Sequence, residues 1–411
     1  MRHFLFVLSM FFLFPFLLTS CCEDEEVVVE YWTHADGKRG VLEERLIEEF
    51  EKENPTIDVI RTEFSSSELL YRVPSSIEAG EGPVLFNLPS EEISDLLRGG
   101  YLDTIPSGLI DQEAYIPDAF NAVTYENHVY GIPLEYTNWC LYVNKSVLDE
   151  ASLSLPESWE DVASIAAELT EYSDNLLERR VFDFRYPYYL SFFVPMVEQL
   201  GGSLIGPDGS YIWNTEAWEK ALSFMSQWGP LGNNYGSPTL KNARSLFNEE
   251  GIVMCLSGLY QEARMQDINP EFYESGSWCV LPFPVFDDAV SDVSASSYLH
   301  FFLVNADRSD KERMAGWKLA AFFAEHADEY LDEVGLVMPL DTVIKGEGVR
   351  NKPFGEVFIS DLERSHPVYS GEYASEIQKL IGDAVESVML QGVEPEKAVA
   401  ALRASVSYLF V

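Results

Sequence analysis

From Val27 onward the chain alternates short apolar runs with amphipathic stretches. VVVEYW reads as a buried strand and is followed by a polar turn, THADGKRG. In VLEERLIEEFEKEN, Val41, Leu42, Leu46, Ile47 and Phe50 recur at helical spacing while acids cover the other face. Asn54-Pro55 ends that helix, TIDVIRTEF predicts a second strand and GPVLFNLP a third. EEISDLLRGGYLDTIP then predicts a short helix stopped at two glycines. Strands alternating with helices imply a mostly parallel α/β sheet, in which ligands gather at the carboxyl ends of the strands. Here those ends are the polar turns 34–38, 63–66 and 87–90.

Beyond residue 145 the pattern turns helical. PESWEDVASIAAEL offers Ser158 as a helix cap with Asp161 three positions on, and helical patterning runs to Trp228, broken by the turn Gly206-Pro207-Asp208-Gly209. FNEEGIVMCLSG and SWCVLPFP restore strands, SSYLHFFLVNADRSD adds another, and MAGWKLAAFFAEHA is a helix. EIQKLIGDAVESVMLQG and PEKAVAALRASVSYLF read as two closing helices. The sequence holds no repeat and no Pro/Gly/Ser spacer, so its units are joined by short strand-like crossings.

Composition narrows the function. The start, MRHFLFVLSMFFLFPFLLTSCC, has a basic tip and an apolar run from Phe4 to Leu18. That run has the length of an export signal and falls short of the ~20 apolar residues of a membrane span. Leu18-Thr19-Ser20-Cys21 resembles a bacterial lipobox, which makes 1–20 a leader and Cys21 the lipidated residue, with Cys22 directly behind it. The chain carries 68 acidic against 27 basic residues, for a net charge of -41. Nucleic acid and anionic membrane surfaces demand basic patches, so neither is an expected partner. A soluble body on a lipid tether, exported to the periplasm or the cell surface, fits better. Cys140, Cys255 and Cys279 sit in apolar runs and read as small core residues. No CxxC, HExxH, Cys/His cluster or glycine-rich phosphate loop occurs, so neither metal nor cofactor is expected.

Residues 131–145, GIPLEYTNWCLYVNK, combine strand-like alternation with an acid, a Thr, an Asn and several aromatics. With the opening strand ending in Trp32, FEKENP, AGEGP, GGYLDTIP, SLPESWEDV, GGSLIGPDG, FNEEGIVMCLSGLY and QGVEPEKAVAAL, this block resembles the extracellular solute-binding proteins of bacterial ABC importers. The sugar-binding family that includes maltose-binding protein is the nearest pattern. Departures are Val84, where the family usually has Asp, and Tyr260, where many members carry Trp. The resemblance implies a two-lobed, type II-like periplasmic-binding-protein fold, each lobe a mostly parallel sheet flanked by helices around a ligand cleft. It divides the mature chain into 21–134 plus 294–338 and 135–293 plus 339–411. It also implies a monomer that captures a mono- or oligosaccharide and delivers it to a membrane permease, without catalysis.

A sugar presents hydroxyls at its rim and weakly apolar C–H faces, so its complement is planar polar groups and aromatic plates. Glu135, Thr137, Asn138 and Trp139 offer both kinds. Carried over from the resemblance, His34 and Asp36 are hydroxyl-bonding groups, with Glu63 and Asn87 at further strand ends. Tyr260, just after Ser257 and Gly258, is the stacking ring; Tyr186, Tyr188, Tyr298 and His366 complete the set. Trp159, Trp213, Trp218, Trp228 and Trp317 fit the core better than the cleft. Two rivals remain: a non-sugar solute such as a polyamine, drawn by the acids, and a glycoside hydrolase using a pair such as Glu63 and Glu135. An anion such as phosphate is disfavoured, because no strand-end turn gathers donors without acids.

Overall fold

The computed structural model describes residues 26–173, 176–240 and 243–411, so the leader and Cys21 lie outside the described residues. Two five-stranded sheets organise the chain. In the first, Ile57–Phe64, Val27–His34, Leu85–Pro89, Tyr298–Val304 and Gly131–Thr137 lie side by side in that order. Val27–His34 runs parallel to both of its neighbours, whereas Tyr298–Val304 is antiparallel to both of its own. The second sheet orders Trp278–Leu281, Cys140–Asn144, Ile252–Ser257, Leu176–Asp183 and Glu171–Ser173. Only Ile252–Ser257 with Leu176–Asp183 is parallel there. The two-lobed α/β architecture is as expected, with mixed sheets: a strand that arrives by a direct crossing and not through a helix enters antiparallel.

The local signals worked where capping chemistry was explicit. Asp36 caps Gly37–Glu53, whose Leu42, Leu46, Ile47 and Phe50 are buried; Val41 points outward instead. Ser158 accepts from the Asp161 amide at the start of Trp159–Leu169. Ser94–Gly99 stops at Gly100, whose φ of 72° suits glycine. Leu176–Asp183 was expected within a helical region and is a strand of the second sheet. Its polar ERR run hides the pattern, and Arg180 is satisfied at 2.8 Å by buried Asp183.

The chain leaves the first sheet at Thr137 and enters the second at Cys140. Residues 135–137 still pair with Tyr298–Val304, so this first passage consists of Asn138 and Trp139. A second passage returns between Leu281 and Tyr298. Three apolar clusters hold the fold. One packs Leu69, Val73 and Phe86 on one face of the first sheet, and another packs Trp159, Phe182, Trp218 and Trp228 on one face of the second. The third joins the two sheets, running from Tyr31, Phe302 and Trp317 through Leu331 and Val334 to Tyr142 and Trp278. Trp213, by contrast, is exposed. The three remaining cysteines are buried free thiols.

Candidate functional site

A cavity of about 350 Å³ lies where the two sheets face each other. His34, Asp36, Glu135 and His300 line it from the first sheet and its turns, and Arg185, Tyr188, Arg244, Tyr260 and Arg264 from segments around the second. Trp139, in the passage between the sheets, lines it as well. A smaller adjoining cavity of about 190 Å³ shares Ser66, Arg185, Tyr188 and Arg244, so the site continues past its first compartment. The combined space falls in the range of small-molecule sites, ~300–1,000 Å³.

The first-sheet wall is held from behind. Fully buried Glu43 accepts from Arg39 Nε at 2.7 Å, Tyr31 Oη at 3.0 Å, Tyr330 Oη at 3.2 Å and Arg61 Nε at 2.9 Å. Burial alone would raise its pKa, but the two guanidinium groups hold its carboxyl below the ordinary range. Arg39 also donates to Thr33 Oγ1, and Asn87 binds Thr33 Oγ1 at 2.7 Å while meeting His34 Nδ1 at 3.2 Å. Burial, with Arg39 adding to it, lowers the His34 pKa to about 3, and burial likewise keeps His300 far below its usual value. Both rings are therefore neutral, each with donor and acceptor capacity suited to a hydroxyl. Glu135 is buried with one carboxyl oxygen unpartnered, and burial pushes its pKa up to about 7 despite nearby Arg39, Arg185 and Arg264.

The opposite wall is aromatic and cationic. Tyr260 Oη receives a 2.5 Å hydrogen bond from Arg185 and lies 3.3 Å from Tyr298 Oη. Arg264, Arg244 and Arg185 stand 4.9, 5.6 and 5.8 Å from its ring centroid. Burial raises the phenol pKa, but the arginines outweigh it and bring Tyr260 down to about 8. Arg185 also lies 4.1 Å over Trp139, so that ring carries a guanidinium on its face. Gly258 is required here, because a Cβ would approach the Tyr260 ring to 2.6 Å and Thr137 Oγ1 to 3.0 Å.

Of the residues named from sequence, His34, Asp36, Glu135, Trp139, Tyr188, Tyr260 and Tyr298 line the cavity. Asp36 is engaged twice, as helix cap and as partner of Arg264, which holds its carboxyl down to about 2 against the effect of burial. Asn87 stands behind His34. Asn138 is part of the passage, and Thr137, Ser257 and Gly258 adjoin it, where the Thr137 hydroxyl donates to Asn138 O and Ser257 to Gln261. Tyr186 borders the smaller cavity. Two side chains lie elsewhere: Glu63 pairs with Arg61 at 2.6 Å, and His366 meets Glu198 at 2.5 Å. Glu63 and Glu135 are thus not a facing pair. Arg244, Arg264, Arg39, His300 and Glu91 were missed. Arg244 and Arg264 lie on the helices Ala243–Asn248 and Gln261–Ile268, outside every strand-end turn.

Two α/β lobes with a lined cavity between them define the architecture of a two-lobed solute-binding protein. The chain belongs to the bacterial extracellular solute-binding protein family, whose model matches residues 45–332. It is similar to the multiple sugar-binding protein of Streptococcus mutans, 23% identical over 36% of this chain and 35% of that protein. It is also similar to the maltotriose-binding protein of Pyrococcus abyssi, 20% identical over 81% of this chain and 70% of that one. The chain thus matches about a third of the length of the first relative and more of the second. A solved ABC-transporter solute-binding protein from Thermotoga lettingae, bound with α-D-tagatose, superposes with a TM-score of 0.81 at 17% identity. That match covers 94% of this chain and 100% of that one. Among the described residues, no helix is long and apolar enough to cross a membrane.

Proposed function

We propose that this protein is a lipid-anchored binding protein that captures a carbohydrate between its lobes and hands it to an ABC-transporter permease. The observation that carries the reading is the lining itself. Neutral His34 and His300 and the unpartnered Glu135 oxygen face the rings of Tyr188 and Tyr260 across a cavity of about 350 Å³. Hydroxyl-bonding groups thereby oppose flat apolar faces, and the relatives named for maltotriose and for multiple sugars support the same class. A polyamine fits this wall poorly, because Arg185, Arg244 and Arg264 would repel it. The hinges are the passage at Asn138 and Trp139, the return before Tyr298, and the segment after Gly335.

A melting screen over mono- and oligosaccharides tests the reading. A ligand that binds only the folded state at about 100-fold its Kd adds ~2.7 kcal/mol of stability. A clear rise in Tm with at least one saccharide, and none with spermidine, is the expected outcome; a flat response to every saccharide sinks the proposal. Anchoring is separable, since Cys21→Ser is expected to move the protein from the membrane fraction to the soluble fraction. A variant that stays with the membrane would refute the lipobox.

A further inference from the structure

The carbohydrate reading leaves the cavity's charge unexplained. The full chain carries a net charge of -41, yet five basic side chains line one pocket: Lys38, Arg39, Arg185, Arg244 and Arg264. Three are matched, Arg39 by Glu43, Arg264 by Asp36 and Lys38 by Asp267 at 3.7 Å. Arg185 and Arg244 are not: among the described residues no carboxylate lies within ion-pair distance of either. Arg185 rests on the faces of Trp139 and Tyr188, donates one bond to Tyr260, and keeps a buried Nε without a partner. Among the described residues the Arg244 guanidinium meets the Tyr260 ring, at 5.6 Å, and no hydrogen-bond acceptor, and burial beside Arg185 and Arg264 brings its pKa down to about 10. Both groups line the main cavity and the smaller one, so they flank the junction between the two compartments.

Desolvated guanidinium groups destabilise a fold unless an anion meets them. The fold supplies aromatic neighbours, Trp139 at 4.1 Å from Arg185 and Tyr260 at 5.6 Å from Arg244, but among the described residues no paired carboxylate for either. Glu91 and Glu135, the remaining acids of the lining, are both pushed up by burial to about 7 and so only partly offset the arginines near neutrality. A carboxylate or phosphate placed between the two guanidinium groups would accept charge-assisted bonds from both, the recognition arginine serves best.

Resting on the carbohydrate reading, we propose that the ligand is an acidic carbohydrate whose carboxylate or phosphate is received by Arg185 and Arg244 at the junction of the two cavities. Its ring lies against Tyr188 and Tyr260, and its hydroxyls reach His34, Glu135 and His300. Charge, and not ring stacking alone, then selects the solute.

The test is titration calorimetry with matched probes that differ only in charge. The pairs are galactose with galacturonate, glucose with glucuronate and with glucose 6-phosphate, and neutral di- and trisaccharides with the corresponding oligouronates. Glycerol 3-phosphate is added as an anion without a sugar ring. A charged member that binds at least about tenfold tighter than its neutral partner, with affinity falling as NaCl rises, supports the proposal. Uronate or phosphate preference then identifies the oxyanion. Arg244→Gln, checked for folding by circular dichroism, is expected to weaken the charged probe by about tenfold or more while changing a neutral one less than about threefold. Arg244→Lys is expected to recover part of the loss. Neutral saccharides binding as tightly as charged ones, with Arg244→Gln unaffected, overturn the acidic ligand and leave the carbohydrate reading standing. Binding of glycerol 3-phosphate but of no sugar overturns the carbohydrate reading and keeps the oxyanion site. Binding of none of these probes overturns both.

Discussion

Tyr260 concentrates the chemistry of the site in one side chain. Arg185, Arg244 and Arg264 face it from three segments, Glu135 from the first sheet, and Tyr298 from the strand that returns to that sheet. Its phenol titrates near 8, and the lining carboxyls Glu135 and Glu91 near 7, so raising pH adds negative charge to the cavity in two steps. An anionic ligand binds best with these groups protonated, and its affinity should therefore rise as pH falls from 9 to 6. Each fully coupled group contributes up to about tenfold per pH unit across its own window. Tyr260→Phe is expected to remove the step near pH 8 and keep the one near 7. Equal affinity for a uronate at pH 6 and pH 9, measured by calorimetry, would mean that the anion does not sit beside this cluster.

The opening helix Gly37–Glu53 shows how an element positions a site through its buried face. Glu43 on its buried face ties together the helix, the strand bearing Tyr31, the strand bearing Arg61 and the Tyr330 turn. That knot fixes the strand end from which His34 and Asp36 project. Glu43→Ala leaves Arg39 buried without its counter-ion and should destabilise the protein by about 3–5 kcal/mol in urea unfolding. A loss below about 1 kcal/mol would show that the network is not structural. Much of this element could be read from sequence, because Asp36 as cap and the Leu42, Leu46, Phe50 spacing are local signals. Leu176–Asp183 could not, since its polar ERR run breaks the apolar alternation that marks a strand. A different limit hid Arg244 and Arg264. NARSLF and EARMQD are unremarkable apart, and their guanidinium groups meet Arg185 only after two helices and a loop fold around Tyr260. Glu63 reads at a strand end as a ligand-facing acid, and the fold instead pairs it with Arg61 two residues earlier, away from the cavity lining.

At the scale of the whole molecule the lobes meet at more than the passages. Arg264 with Asp36 and Lys38 with Asp267 join the helix after the second sheet's Ile252–Ser257 strand to the first sheet's opening turn. Arg98 pairs with Glu372 and lies 4.9 Å over the Tyr373 ring at another point. The apolar cluster through Leu331 and Val334 backs the cavity. The Lys38–Asp267 and Arg98–Glu372 pairs are partly exposed and contribute little energy each, ~0–1 kcal/mol, so they yield readily when the passages bend. The Asp36 carboxylate of the Arg264 pair is buried instead. A solute touching both walls would favour the closed arrangement by its extra contacts there. The central claim is that the cavity between the sheets holds one intact carbohydrate. Native mass spectrometry of the purified protein, mixed with the saccharide that raises its Tm most, reads this directly. The account predicts a complex whose mass is one chain plus one uncleaved saccharide; a spectrum of ligand-free chain alone, or of chain carrying saccharide fragments, would contradict it.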